Sequence, residues 1–116
     1  MVFMYQQSHS LDSRRTESER IRKKYPDRIP VIMEKCRSST MNTLQQSKFL
    51  VPDSITVSQL IYVIRKKVKL GPQEALFVFI HDSLPNSAMN MKEIYELHKE
   101  NDGFLYLLYS NENTFG

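Results

Sequence analysis

Cys36 stands between Lys35 and Arg37. Two flanking cations favour the thiolate, the form of cysteine that attacks electrophiles and binds metals. A nucleophilic role also needs a general base within reach, and the sequence around Cys36 supplies none. His9, His81 and His98 are too scattered to join one another, a carboxylate or the thiol at metal-site spacing. With only three glycines, the chain has neither a phosphate-cradling glycine loop nor a nucleophile elbow. No catalytic residue, metal or cofactor is expected, and the chain reads as a non-enzyme. One chemical oddity remains, the ending "YSNENTFG". This polar stretch finishes on an isolated aromatic, Phe115, and on the carboxylate of Gly116.

The elements that would position these groups belong to one domain. The 116 residues are enough for a single core, and 41% hydrophobic with 25% charged residues is a globular composition. The apolar runs "ALFVFI" (75–80) and "FLYLLY" (104–109) are too short to cross a bilayer. The N-terminal segment lacks the basic-then-apolar pattern of a signal peptide. A lone cysteine cannot close an internal disulfide, and together these features imply a cytoplasmic protein. Residues 1–70 carry a net charge of +8 and residues 71–116 a net charge of −5. Two "RKK" clusters, 22–24 and 65–67, raise nucleic acid binding. Single-strand recognition needs exposed aromatics, however, and Phe77, Phe79, Tyr106 and Tyr109 lie in runs that read as core. No nucleic acid partner is expected.

"SLDSRRTESERIRKKY" (10–25) predicts a helix capped by Ser10 and ended by Pro26, with only Leu11, Ile21 and Tyr25 as an apolar stripe. "RIPVIMEK" (28–35) alternates as a strand, and Pro30 within it predicts an edge position. "KFLVP" (48–52) is a second short strand. "TVSQ" (56–59) has capping-box spacing. It opens a helix with Val57, Ile61, Ile64 and Val68 on one face, which "GP" (71–72) is expected to close. "LFVFIH" reads as a strand buried on both faces. "NMKE" (90–93) starts a short helix carrying Met91, Ile94, Tyr95 and Leu97, and "FLYLLY" is a central strand. This order predicts an α+β fold, a ubiquitin-like β-grasp whose mixed four-stranded sheet wraps a helix, with an added N-terminal helical piece. The division is 1–25 as helical extension, 26–110 as core and 111–116 as C-terminal tail.

A one-sided core would leave apolar residues over. Ile29, Val31 and Met33 can face it, leaving Pro30 and Ile32; Phe49 and Val51 point opposite to Lys48 and Leu50; Leu60 and Val63 flank the helical stripe. Such a patch beside Arg28, Lys48 and Arg65 or Lys67 suits a short apolar peptide with acidic flanks, added as a strand to an open edge. Coverage of the same surface by the N-terminal helices is the alternative.

The stretches "IRKKYPDRIPVI" (21–32), "FLVP" (49–52), "IRKKVKL" (64–70), "ALFVFI" and the "LYSNENTFG" ending resemble the ubiquitin-like autophagy modifiers, on the side of the GABA-receptor-associated protein branch and end to end. The resemblance implies a β-grasp domain with two additional N-terminal helices, and a modifier whose terminal glycine, here Gly116, is joined to phosphatidylethanolamine. An activating and a conjugating enzyme carry it as a thioester, and a cysteine protease removes it. It implies a monomer in the cytoplasm that moves to autophagosome membranes on conjugation and docks cargo receptors and adaptors carrying aromatic-x-x-aliphatic motifs. Carried over to this chain, the aromatic pocket comprises Glu17, Ile21, Pro30, Ile32, Lys48, Leu50 and Phe104. The aliphatic pocket comprises Phe49, Val51, Pro52, Ile55, Leu60, Val63 and Ile64. Arg28 and Lys48 would meet acidic flanks. A purely noncovalent trafficking or cytoskeletal adaptor using the basic N-terminal helices is the competing reading.

The sequence departs from the family pattern in three places. Lys67 stands where many relatives have arginine, and without a bidentate fork it is left out of the site. "QQSK" (45–48) replaces a lysine-rich run, leaving Lys48 alone and weakening attraction for acids preceding the motif. Gly103, bulkier in some relatives, is expected to loosen the entry to the last strand. Phe115 reads as a handle for the conjugation enzymes, because it stands alone in a polar tail.

Overall fold

Ser10 accepts a hydrogen bond from the Ser13 amide at 3.1 Å and starts the long N-terminal helix, as its residue type predicts. The computed structural model describes residues 3–113, so Phe115 and Gly116 lie outside the described residues. The elements are α1 (Met4–Ser8), α2 (Leu11–Lys24), β1 (Arg28–Lys35), β2 (Lys48–Pro52), α3 (Val57–Lys67), β3 (Phe77–Phe79), α4 (Met91–His98) and β4 (Leu105–Ser110). The sheet order is β2-β1-β4-β3. β1 runs antiparallel to β2 and parallel to β4, and β3 is antiparallel to β4. This is the mixed four-stranded sheet of a ubiquitin-like α+β fold.

Both capping boxes form. Thr56 and Gln59 exchange hydrogen bonds at 2.8 and 3.2 Å, and Asn90 and Glu93 do the same at the start of α4. Several sequence expectations need correction. Pro30 sits on β1, an interior strand, with Leu50 of β2 as its partner. Pairing with β4 begins only at Val31, so at Pro30 the strand is locally an edge and loses no ladder bond on the β4 side. α3 ends before Gly71. Lys69 takes the left-handed conformation (φ 58°), and the Leu70 amide donates back to the Arg65 carbonyl, a Schellman closure built without glycine. β3, expected to be central, is a three-residue edge strand, although Val78 and Phe79 are buried. On α4, Leu97 is exposed and is no part of the core.

The sheet is covered on both faces. Ile29, Val31 and Met33 of β1 and Leu105, Leu107 and Tyr109 of β4 pack against Val57, Leu60, Ile64 and Val68 and against Met91 and Ile94. On the opposite face Ile32, Phe104 and Tyr106 meet Ile21 of α2, with Phe3 and Tyr5 beside them. Because α2 offers so little apolar surface, polar ties hold much of it. Arg14 Nε donates to Asp102 Oδ2 at 2.8 Å, Arg15 Nε to the Asn101 carbonyl at 3.2 Å, and Ser18 Oγ to the Asp102 carbonyl at 2.5 Å. Asp102 is fully buried yet satisfied, accepting also from Tyr106 Oη and the Phe104 amide. Burial, reinforced by this carboxylate, pushes the Tyr106 phenol above its ordinary range.

Gly103 tightens this junction. Its φ of 88° belongs to glycine, its amide donates to Glu100 and its carbonyl accepts from Tyr95 Oη at 2.6 Å. A Cβ there would collide with Ser18. The expected loosening at the entry to β4 is therefore reversed: the missing side chain lets α2 approach.

Candidate functional site

β2 is short, lies at the open end of the sheet order, and has no strand on its outer edge among the described residues. Its alternation decides what each side chain can reach. Lys48 and Leu50 pair with Ile32 and Pro30 and so share the α2 face. Phe49 and Val51 pair with Val31 and Ile29 and share the α3 face.

On the α2 face, Ile21, Ile32 and Phe104 join one cluster but are no more than 1% accessible. Pro30 is buried as well. The leftover surface that a one-sided core would have created is thus largely taken by α2, and solvent reaches Leu50, which is 37% exposed, together with Lys48 and Glu17. Glu17 forms an ion pair with Lys48 and accepts from Arg20 Nε at 2.7 Å. Hydrogen bonds from Arg20 and then Lys48 hold the Glu17 carboxyl well below the ordinary range, at about 2. A hollow of about 450 Å³ opens beside this pair, lined by Tyr5, His9, Asp12, Ser13, Thr16, Glu17 and Lys48.

On the α3 face, Val51, Leu60 and Ile64 are core residues, 1–4% accessible. Phe49 and Ile55 lie partly buried against them, Pro52 is half-buried, and Val63 is exposed. A second hollow, about 480 Å³, is bordered by Phe49, Lys67 and the 42–46 loop. Here the structure adds a residue that the sequence reading left out. The Lys67 ammonium lies 5.8 Å from the centroid of the Phe49 ring, within cation–π reach. The available signal was spacing, since Lys67 follows Val63 by one helical turn. Arg28 is half-buried opposite Pro52, at the other end of β2 from Lys48. Four residue steps along the strand separate the two positions, about 13 Å, so the two cations stand at opposite ends of β2.

Cys36 is buried, its sulfur 3.5 Å from Ser38 Oγ, and Lys35 Nζ donates to the Met41 carbonyl. Among the described residues no three His, Cys, Asp or Glu side chains are grouped to hold a metal, and no helix is long and apolar enough to cross a membrane.

A β-grasp sheet with an open β2 edge, flanked by apolar residues on both faces, defines a ubiquitin-like binding module. Similarity to known proteins narrows the class. Residues 13–116 match the family described as "Autophagy protein Atg8 ubiquitin like". Autophagy-related protein 8 of Schizosaccharomyces pombe is 54% identical over 116 residues, covering 100% of this chain and 96% of that protein. The Mycosarcoma maydis protein of the same name is 53% identical over 112 residues, 97% and 95% of the two chains. The crystal structure of Trypanosoma brucei ATG8 superposes with a TM-score of 0.93 at 42% identity, covering both chains fully. The chain belongs to the Atg8 family of ubiquitin-like autophagy proteins. Its role is the family's: a ubiquitin-like modifier that is conjugated to phosphatidylethanolamine and docks autophagy receptors.

Proposed function

We propose that β2 is the edge to which receptor peptides with an aromatic-x-x-aliphatic motif add as a strand, and that Gly116 is the residue joined to the lipid amine. The docking half rests on one observation, the two-sided alternation of β2 at an open edge. In an extended peptide, residues three apart point to opposite faces. The aromatic then falls on the α2 face, over Lys48 and Leu50, with Glu17 at the rim and Pro30 beneath. Ile21, Ile32 and Phe104 form the apolar floor below. The aliphatic residue falls on the α3 face, against Phe49, Val51, Pro52, Ile55, Leu60, Val63 and Ile64. Arg28 and Lys48 stand near the two ends of the motif.

The conjugation half rests on family membership, whose match runs through Gly116, and on that residue being a glycine. A residue without Cβ leaves its carboxyl carbon open to attack in a narrow catalytic channel. Activating and conjugating enzymes, a deconjugating cysteine protease and motif-bearing receptors are the partners. The protein is a cytoplasmic monomer that becomes membrane-bound through its lipid.

Two measurements test the two halves. Gly116→Ala abolishes lipidation in a reconstituted activating–conjugating system while the far-ultraviolet circular dichroism is unchanged; efficient lipidation of this variant refutes the assignment. Leu50→Ala weakens calorimetric binding of an aromatic-x-x-aliphatic peptide by about 1–3 kcal/mol, and unchanged affinity refutes the groove.

A further inference from the structure

Lys48 is the only lysine or arginine between Arg37 and Arg65, because Gln45, Gln46 and Ser47 precede it. Its ammonium is already engaged by Glu17, reaching across from α2. Glu17 keeps a second cation, Arg20, so it stays ionised at any physiological pH. The adjoining hollow also carries the Asp12 side chain. An acidic peptide residue arriving at this end of β2 therefore meets a neutralised lysine with carboxylates in the same wall, and it gains Lys48 only by displacing Glu17.

We propose that Glu17 is an internal competitor for Lys48 which makes this groove indifferent to acidic residues before the aromatic of an aromatic-x-x-aliphatic peptide. The inference rests on the docking role proposed for β2. It makes Glu17 a specificity-determining residue: the pair stays closed over a neutral flank, whereas an acidic flank exchanges one half-buried ion pair for another with no net gain. Arg20 shapes the balance, since a Glu17 released by Lys48 still has a partner.

Calorimetry with two synthetic peptides tests this. Both carry one Trp-x-x-Leu core, preceded by three aspartates in one and three asparagines in the other, at low salt. The reading is the ratio of the two affinities, in which any change in the aromatic pocket itself cancels. The wild-type protein is expected to bind the two within threefold. Glu17→Gln frees Lys48 and shifts the ratio towards the acidic peptide by about three- to fivefold, the scale of one exposed ion pair. In a Lys48→Gln background the same substitution shifts the ratio less than twofold. A wild-type preference for the acidic peptide beyond threefold overturns the proposal, as does a ratio that Glu17→Gln leaves within twofold of its wild-type value. A full shift that persists without Lys48 also overturns it, since that reports general repulsion and not competition. If neither peptide binds, the docking role of β2 falls and the inference with it; binding with the wrong ratios removes the inference alone.

Discussion

Gly103→Ala tests how closely α2 is held to the sheet. The wild-type residue has φ 88°, a left-handed conformation that costs an L-residue about 1–2 kcal/mol. An added Cβ would stand 3.1 Å from Ser18 Cβ and well inside van der Waals distance of Ser18 Oγ. Ser18 is 3% accessible and its hydroxyl donates to the Asp102 carbonyl, so it cannot swing into water without giving up that bond, worth about 1 kcal/mol. Overpacking at a filled site adds about 1–3 kcal/mol. Alanine offsets about 0.4–1 kcal/mol of this by restricting the unfolded chain. The net expectation is a loss of about 2–4 kcal/mol, a large part of a typical domain's stability and about 8–16 °C in Tm. Urea unfolding followed by circular dichroism measures it. The double variant Ser18→Ala, Gly103→Ala removes the nearest clashing atom, and should be about 1 kcal/mol more stable than additivity predicts. A Gly103→Ala protein within 0.5 kcal/mol of wild type, or strictly additive variants, would refute the reasoning.

Other expectations follow from contacts of the same kind. Arg14→Ala leaves the buried Asp102 carboxylate without its cation and costs about 3–5 kcal/mol in chemical denaturation; a loss under 1 kcal/mol shows that Tyr106 and the Phe104 amide suffice. Asp82 follows His81 in a two-residue turn with both φ values positive, 64° and 48°, closed by Ile80 and Ser83. Asp82→Gly is expected to stabilise by about 0.5–1 kcal/mol, and destabilisation in the same assay contradicts this reading of the turn. For Glu17 the sign is that of a depressed carboxyl. Its pairing stabilises the fold above the ordinary value of 4.5 and is lost as pH falls towards 2. Because water still reaches both side chains of the half-buried pair, its contribution at pH 7 is about 1 kcal/mol. The stability gap between wild type and Glu17→Gln therefore closes between pH 4.5 and 2, and a gap that persists at pH 2 would show that its origin is not ionic.

Much of the fold was legible because its signals are local. Ser10, Thr56 and Asn90 satisfy helix amides within three residues of themselves, so type and spacing locate the starts of three helices. The alternation in 28–35 and 48–52 places side chains on opposite faces whatever the strands pair with, and both ranges match β1 and β2. Sheet position was not legible in this way. "LFVFIH" is apolar enough for a central strand, yet β3 is an edge with β4 on one side only, and its Val78 and Phe79 are buried while Phe77 is half-buried.

The candidate site divides along the same line. Chain order alone brings Lys48, Phe49, Leu50 and Val51 to one strand with alternating faces, because a strand's period is a property of its backbone. The family's stretches and its terminal Phe115–Gly116 are likewise present in the linear chain. Which apolar residues remain free for a ligand was decided only by tertiary packing. Ile32 looks surplus in the sequence and is inaccessible under Ile21 of α2. Lys48 looks available and is held by Glu17, 31 residues away, while Arg14 reaches Asp102 across 88. No local pattern encodes such pairs, since buried and solvent-exposed charges are settled by the elements that fold over them. The sequence by itself thus determined a ubiquitin-like modifier with an alternating strand. The docking of α2 through Asp102 and Gly103 decided how much of that strand's surface stays open, and which of its charges is free.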